Sequence, residues 1–142
     1  MAIKMRCLYY SSKSKIKSMA DLIKNEFDLS ANQNAVDIIP PAYSCENERL
    51  VILIISGKGD PDDVLRRFCA ELDRKKAQNV ALIIDGDEKF AAKITDTLQK
   101  SGANVHEKIH FVKAGLLPFM GKVSDEEKAA LLSWAHGIVD NL

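Results

Sequence analysis

The chain carries no net charge: its 142 residues hold 20 Lys and Arg against 20 Asp and Glu. No field of one sign is left over to gather nucleic acid or an anionic membrane surface. Long apolar runs are missing too. None approaches the roughly 20 residues that a membrane span requires. The opening MAIKMRCLYY has no apolar core ahead of a small-residue cleavage site, so a cytoplasmic setting is expected. Cysteine is scarce. Cys7, Cys45 and Cys69 are odd in number, far apart and form no CxxC, which argues against a disulfide framework or a zinc site. Cys7 lies in an apolar run and Cys69 on an apolar helix face, so both read as inert core thiols. Cys45 lies in a polar stretch and reads as the exposed one.

Several chemical motifs are absent as well. No GxGxxG follows the first apolar stretch, which disfavours a dinucleotide site, and there is no GxSxG or HExxH. The first and third strand patterns end in Tyr-Tyr-Ser-Ser and Ile-Ser-Gly, without the clustered aspartates that phosphoacceptor chemistry needs. His106 and His110 fall in a strand pattern, where four residues span about 13 Å, too far to share one ion. His136 stands alone in the final helix pattern and reads as a surface residue.

What is present is an ordinary globular composition, 46% hydrophobic and 28% charged, in a length that suits one domain over 1–142. A first strand is expected at 3–10. A helix follows, with Ile16, Met19, Ala20, Ile23 and Phe27 on one face. A short second strand at 35–39 ends at Pro40-Pro41. LVILII (50–55) and VALII (80–84) are apolar without alternation, as strands buried on both faces must be. Between them Asp60 is a candidate helix N-cap with Pro61 at the first helical position, and Val64, Leu65, Phe68, Cys69 and Leu72 form the buried stripe. Phe90, Ala91, Ile94 and Leu98 make a third helix stopped by Gly102. Val105, Ile109 and Phe111 mark a more polar fifth strand at an edge. Ser124-Asp125-Glu126-Glu127 opens the last helix as a capping box, with Leu131, Trp134, Ala135 and Ile138 on its apolar face.

Strands alternating with helices predict a three-layer, doubly wound α/β fold. It has a five-stranded parallel sheet of order 2-1-3-4-5 with helices on both faces. Such sheets bind ligands beyond the carboxyl ends of their strands, where the order reverses. Three loops meet there: 11–17, 56–60 and 85–89. In the first, Ser12, Lys13, Ser14, Lys15, Ile16 and Lys17 lead into a helix, whose free N–H groups and dipole offer an anion site. The alternative is a polar turn in which a serine merely caps the helix and the lysines are solvated. In the second, Ser56, Gly57, Lys58 and Gly59 either let backbone approach a flat ligand or form a tight turn. Asp85, Gly86 and Asp87 in the third invite the same two readings.

The stretches CLYYSSKSKIKSMADLI, SGKGDPDDVLRRFCAEL and IIDGDEKFAAKI together resemble the flavodoxin family, short-chain type. The first looks like that family's opening strand, phosphate loop and first helix, the others like the loops that flank the flavin ring. The resemblance implies FMN as cofactor, electron transfer as function and a redox protein as partner. It puts Ser12, Lys13 and Ser14 at the phosphate and Gly57 and Gly86 near the ring. The family loop reads roughly Ser/Thr-x-Thr-Gly-Asn-Thr; Ser12 and Ser14 match its hydroxyl positions, while Lys15, Ile16 and Lys17 stand where it has Gly-Asn-Thr. The ring-flanking loops hold no Trp or Tyr. A second expectation rests on these departures: a flavodoxin-like scaffold without FMN that binds a protein or another anion.

Overall fold

Two strands with no polar side chain in their middles leave the chain little choice but to cover them on both faces. The computed structural model describes residues 5–11, 13–27, 48–114 and 122–142. It has the elements β1 (Met5–Tyr10), α1 (Ser14–Glu26), β2 (Leu50–Ser56), α2 (Asp63–Glu71), β3 (Val80–Asp85), α3 (Glu88–Lys100), β4 (His110–Phe111) and α4 (Asp125–Asp140). Every residue of β2 except Ser56, and every residue of β3 except Asp85, is buried. Among the described residues the sheet has four parallel strands in the order β1-β2-β3-β4, not five. The expected second strand at 35–39 lies outside the described residues, as do Ser12 and Cys45.

The two-residue period of the strands sorts the core into two halves. Met5, Cys7, Tyr9, Leu50, Ile52, Ile54, Ala81 and Ile83 pack with the apolar faces of α1 and α4. Leu8, Val51, Leu53, Ile55, Val80, Leu82 and Ile84 pack with α2 and α3. Helices therefore cover both faces. β4 is a two-residue edge strand, extended by an isolated bridge from Val80 to Val105. No helix among the described residues is long and apolar enough to cross a membrane.

Helix ends follow local chemistry, with one correction. α2 starts two residues later than the Asp60-Pro61 pattern predicts. Asp62 is its N-cap, accepting from the Leu65 N–H at 2.9 Å. Asp60 instead reaches the Lys93 ammonium at 2.5 Å. The shift turns Val64 outward, to 55% exposure, so it leaves the expected buried stripe while Leu65, Phe68, Cys69 and Leu72 stay in it. α3 stops as expected: Gly102 takes φ 99°, and Gly102 and Ala103 donate to the Gln99 and Leu98 carbonyls, a left-handed cap that only glycine adopts freely. α4 opens with the reciprocal capping box of Ser124 and Glu127. Trp134 is half-buried rather than core, its indole N–H donating to the Lys108 carbonyl at 2.9 Å. Burial pushes the Cys7 and Cys69 thiols up to about 12, which keeps both as inert thiols in the core.

Candidate functional site

The carboxyl ends of β1, β2 and β3 lie side by side, because their register pairs Tyr10 with Ile55 and Ser56 with Asp85. The loops leaving them are laced together. The Gly57 N–H donates to the Asp85 carbonyl at 3.1 Å. The Asp85 carboxylate gathers three donors: the Lys13 ammonium at 2.7 Å and the Ser56 hydroxyl at 2.9 Å on Oδ2, and the Ala114 N–H at 3.3 Å on Oδ1. Lys13 thus reaches from the start of α1, past the end of β2, to the end of β3.

The start of α1 differs from the other three. Asp62 caps α2, Asp87 caps α3 through the Phe90 N–H at 2.8 Å, and Ser124 caps α4, but among the described residues no side chain caps α1, whose N-cap residue is Lys13. Ser14 is the exposed first residue of the helix rather than its cap. The next two predicted loop residues split apart. Lys15 turns to α4, where its ammonium lies 2.6 Å from Glu127 Oε2. Ile16 is fully buried in the core, and Lys17 is exposed; both donate their N–H to the Lys13 carbonyl. The Lys15 ammonium, then the Ser124 N–H, hold the Glu127 carboxyl below the usual carboxylate range.

Both site glycines have a packing reason. A Cβ on Gly57 would lie 2.1 Å from the ring of Phe90, and one on Gly86 would lie 2.6 Å from the Gly57 carbonyl oxygen. The two loops therefore touch one another and the buried Phe90 ring with no room for a side chain. Gly59 has open space about it but a φ of 72°, so its turn is what requires glycine. Lys58 and Gly59 are exposed, and Asp87 is occupied as the α3 cap.

Sequence reasoning missed several contributors. Tyr10 donates its hydroxyl to Asp62 Oδ2 at 2.5 Å, joining β1 to the start of α2. Burial, then the Asp62 carboxylate, push the Tyr10 hydroxyl up to about 12. Asp62, Lys93 and Glu127 also belong to this rim, and Asp60, expected there as a helix cap, is instead the partner of Lys93. Their partners lie tens of residues away, so no local spacing announces them. A cavity of ≈ 430 Å³ opens beside the site, lined by Gly86, His110, Phe111, Lys113 and Glu127 among others. His110 stacks on Trp134 at 5.6 Å between ring centroids, and its burial lowers the imidazole from its ordinary value. His136, exposed on α4, instead meets Glu26 at 2.6 Å. Among the described residues no group of His, Cys, Asp or Glu could hold a metal ion.

Oxidised flavodoxin 1 from Bacillus cereus superposes with a TM-score of 0.71 over 98% of this chain and 99% of that one, at 21% identity. The fold is that of the flavodoxins. Flavodoxin 2 from Bacillus cereus gives 0.70 at 19% identity, covering 98% of this chain and 99% of its own. The flavodoxin of Streptococcus pneumoniae gives 0.69 at 14% identity, covering 97% and 99%. No protein-family model and no curated protein matches the sequence. The candidate loops leave the carboxyl ends of neighbouring strands in this fold, and many functions share the architecture.

Proposed function

We propose that this chain binds FMN and carries electrons to and from a redox protein partner. The start of α1 carries the reading. Among the described residues it is the helix start without a side-chain cap, it follows β1 directly, and it faces the carboxyl end of the sheet. Free N–H groups and the helix dipole favour a phosphate there. The residues fit that end of the cofactor: the first-turn amides of Ser14 and Lys15, the Ser12 and Ser14 hydroxyls and the Lys13 ammonium would hold it. Loops 56–59 and 85–87 would border the ring with backbone, as they offer no aromatic face. When bound, FMN supplies the redox chemistry, and the protein supplies binding, orientation and electrostatics. Lys13 would offset phosphate charge, while the close packing of Gly57 on Phe90 fixes one wall. With no net charge to recruit nucleic acid or membrane, a protein partner is favoured.

The same reading takes 1–142 as one cytoplasmic domain with the five-stranded order 2-1-3-4-5. Support for that order comes from α1, which packs on the opposite face from α2 and α3. With right-handed crossovers, the chain must then leave β1 one way and return the other.

A second reading, a flavodoxin-like scaffold without FMN that binds a protein or another anion, has its own support. The Lys13 and Lys15 ammoniums each meet a carboxylate of this chain, and both site glycines are accounted for by packing. Quenching of flavin fluorescence on titration of the flavin-stripped protein separates the two. The first reading expects submicromolar FMN affinity and much weaker riboflavin binding, on the order of the gain a phosphate site provides. No binding at tens of micromolar, about −6 kcal/mol or weaker, would remove FMN and leave the scaffold.

A further inference from the structure

We infer that Asp85 is an internal competitor for the phosphate, setting the anion affinity of the loop by holding the Lys13 ammonium. The inference rests on the FMN reading and concerns the same site. Asp85 is anchored from three sides, by Lys13, Ser56 and the Ala114 N–H. It does not swing aside as a surface carboxylate would. The side chains of Lys13 and Asp85 are only 24% and 12% exposed, so water screens the pair less than an open one. An anion arriving at the start of α1 therefore meets a cation already neutralised and a fixed negative charge just behind it. Lys15 is held in the same way by Glu127, but at the α4 side. Asp85 is thus the group through which the end of β3 opposes binding at the end of β1.

Asparagine at this position keeps one carbonyl oxygen for the Ala114 N–H and turns its NH2 to the Ser56 hydroxyl, which can accept in place of donating, while the charge that holds Lys13 is removed, so Asp85→Asn isolates the effect. The test titrates FMN, and separately inorganic phosphate, into the flavin-stripped full chain, its Asp85→Asn variant and the Lys13→Gln/Asp85→Asn double variant. Calorimetry follows both ligands and fluorescence quenching follows FMN. The expected result is FMN and phosphate affinity about tenfold higher in Asp85→Asn, unchanged riboflavin affinity, and loss of the gain in the double variant.

If the parent binds FMN and Asp85→Asn binds it equally or more weakly, the inference fails while the FMN reading stands. If Asp85→Asn binds and the parent does not, Asp85 has the inferred role and the natural protein is no FMN carrier. If neither binds, both fail. Asp85→Ser, judged by the same outcomes, replaces Asp85→Asn should circular dichroism show the latter unfolded.

Discussion

Gly57→Ala is the change that most directly tests how the site is built. The added methyl group would meet three atoms of the Phe90 ring at 2.1, 2.3 and 2.8 Å, where carbon atoms prefer about 3.5–4.0 Å. The ring or the loop must therefore move by about 1.4 Å. Phe90 is 1% exposed and packed in the α2–α3 half of the core, so the ring has nowhere to go. The Gly57 N–H is tied to Asp85, so the loop is restrained as well. Overpacking of this kind costs about 1–3 kcal/mol, and three simultaneous ring contacts place it near 3. For a chain of this length that is a fall in Tm of about 10 °C. Urea unfolding followed by circular dichroism should show a lower midpoint at unchanged slope.

Phe90→Leu in the same background should recover part of the loss, because the smaller side chain vacates the contact. Gly137→Ala is the control. It lies in α4 with nothing within 4 Å of an added Cβ, so it should stabilise by about 0.5–1 kcal/mol through helix propensity. A Gly57→Ala variant within about 0.5 kcal/mol of the parent would show that the loop is not held against Phe90, and the packing account of the site would be wrong.

Three further expectations follow from the same geometry. The folded Tyr10 hydroxyl, raised to about 12, lies above the unfolded value of about 10. Its stabilising contribution is therefore complete below pH 10 and is lost as pH rises through about 12. Absorbance titration at alkaline pH against Tyr10→Phe reports it, and a Tyr10 midpoint near 10 in the folded protein would contradict the bond to Asp62. Asp87→Ala should cost about 1 kcal/mol as a lost cap, whereas Ser14→Ala should change stability by only a few tenths; denaturant melts decide, and equal losses would make Ser14 a cap after all. In a Cys45→Ser variant, Cys7 and Cys69 should resist a thiol reagent until the chain is denatured, and rapid labelling under native conditions would refute their burial.

The sequence made the sheet's centre plain because LVILII and VALII can be satisfied only by cover on both faces. The Ser124 capping box and the Gly102 stop were equally readable, since each is a contest among neighbours in the chain. The slip at Asp60 has a different origin. DPDD offers more than one cap, and the choice is made by Tyr10 drawing in Asp62 and Lys93 drawing in Asp60, contacts that no local pattern encodes. The loop glycines read equally well as ligand contacts or as turns, and the Phe90 ring beneath Gly57 supplied what the spacing could not. Lys13 and Lys15 looked alike on paper. One is committed to β3 and the other to α4, because successive residues at a helix start point in different directions.

The rim and the body of this molecule answer to different variables. Lys13–Asp85, Lys15–Glu127 and Lys93–Asp60 fasten the loops and helix starts at the carboxyl end of the sheet by charge. The layers beneath are held by aliphatic side chains. Added salt weakens the first kind of cohesion and not the second. Ionic strength therefore bears first on the exposed Lys93–Asp60 pair, far less on the two more enclosed pairs beside the candidate loops, and leaves the sheet untouched.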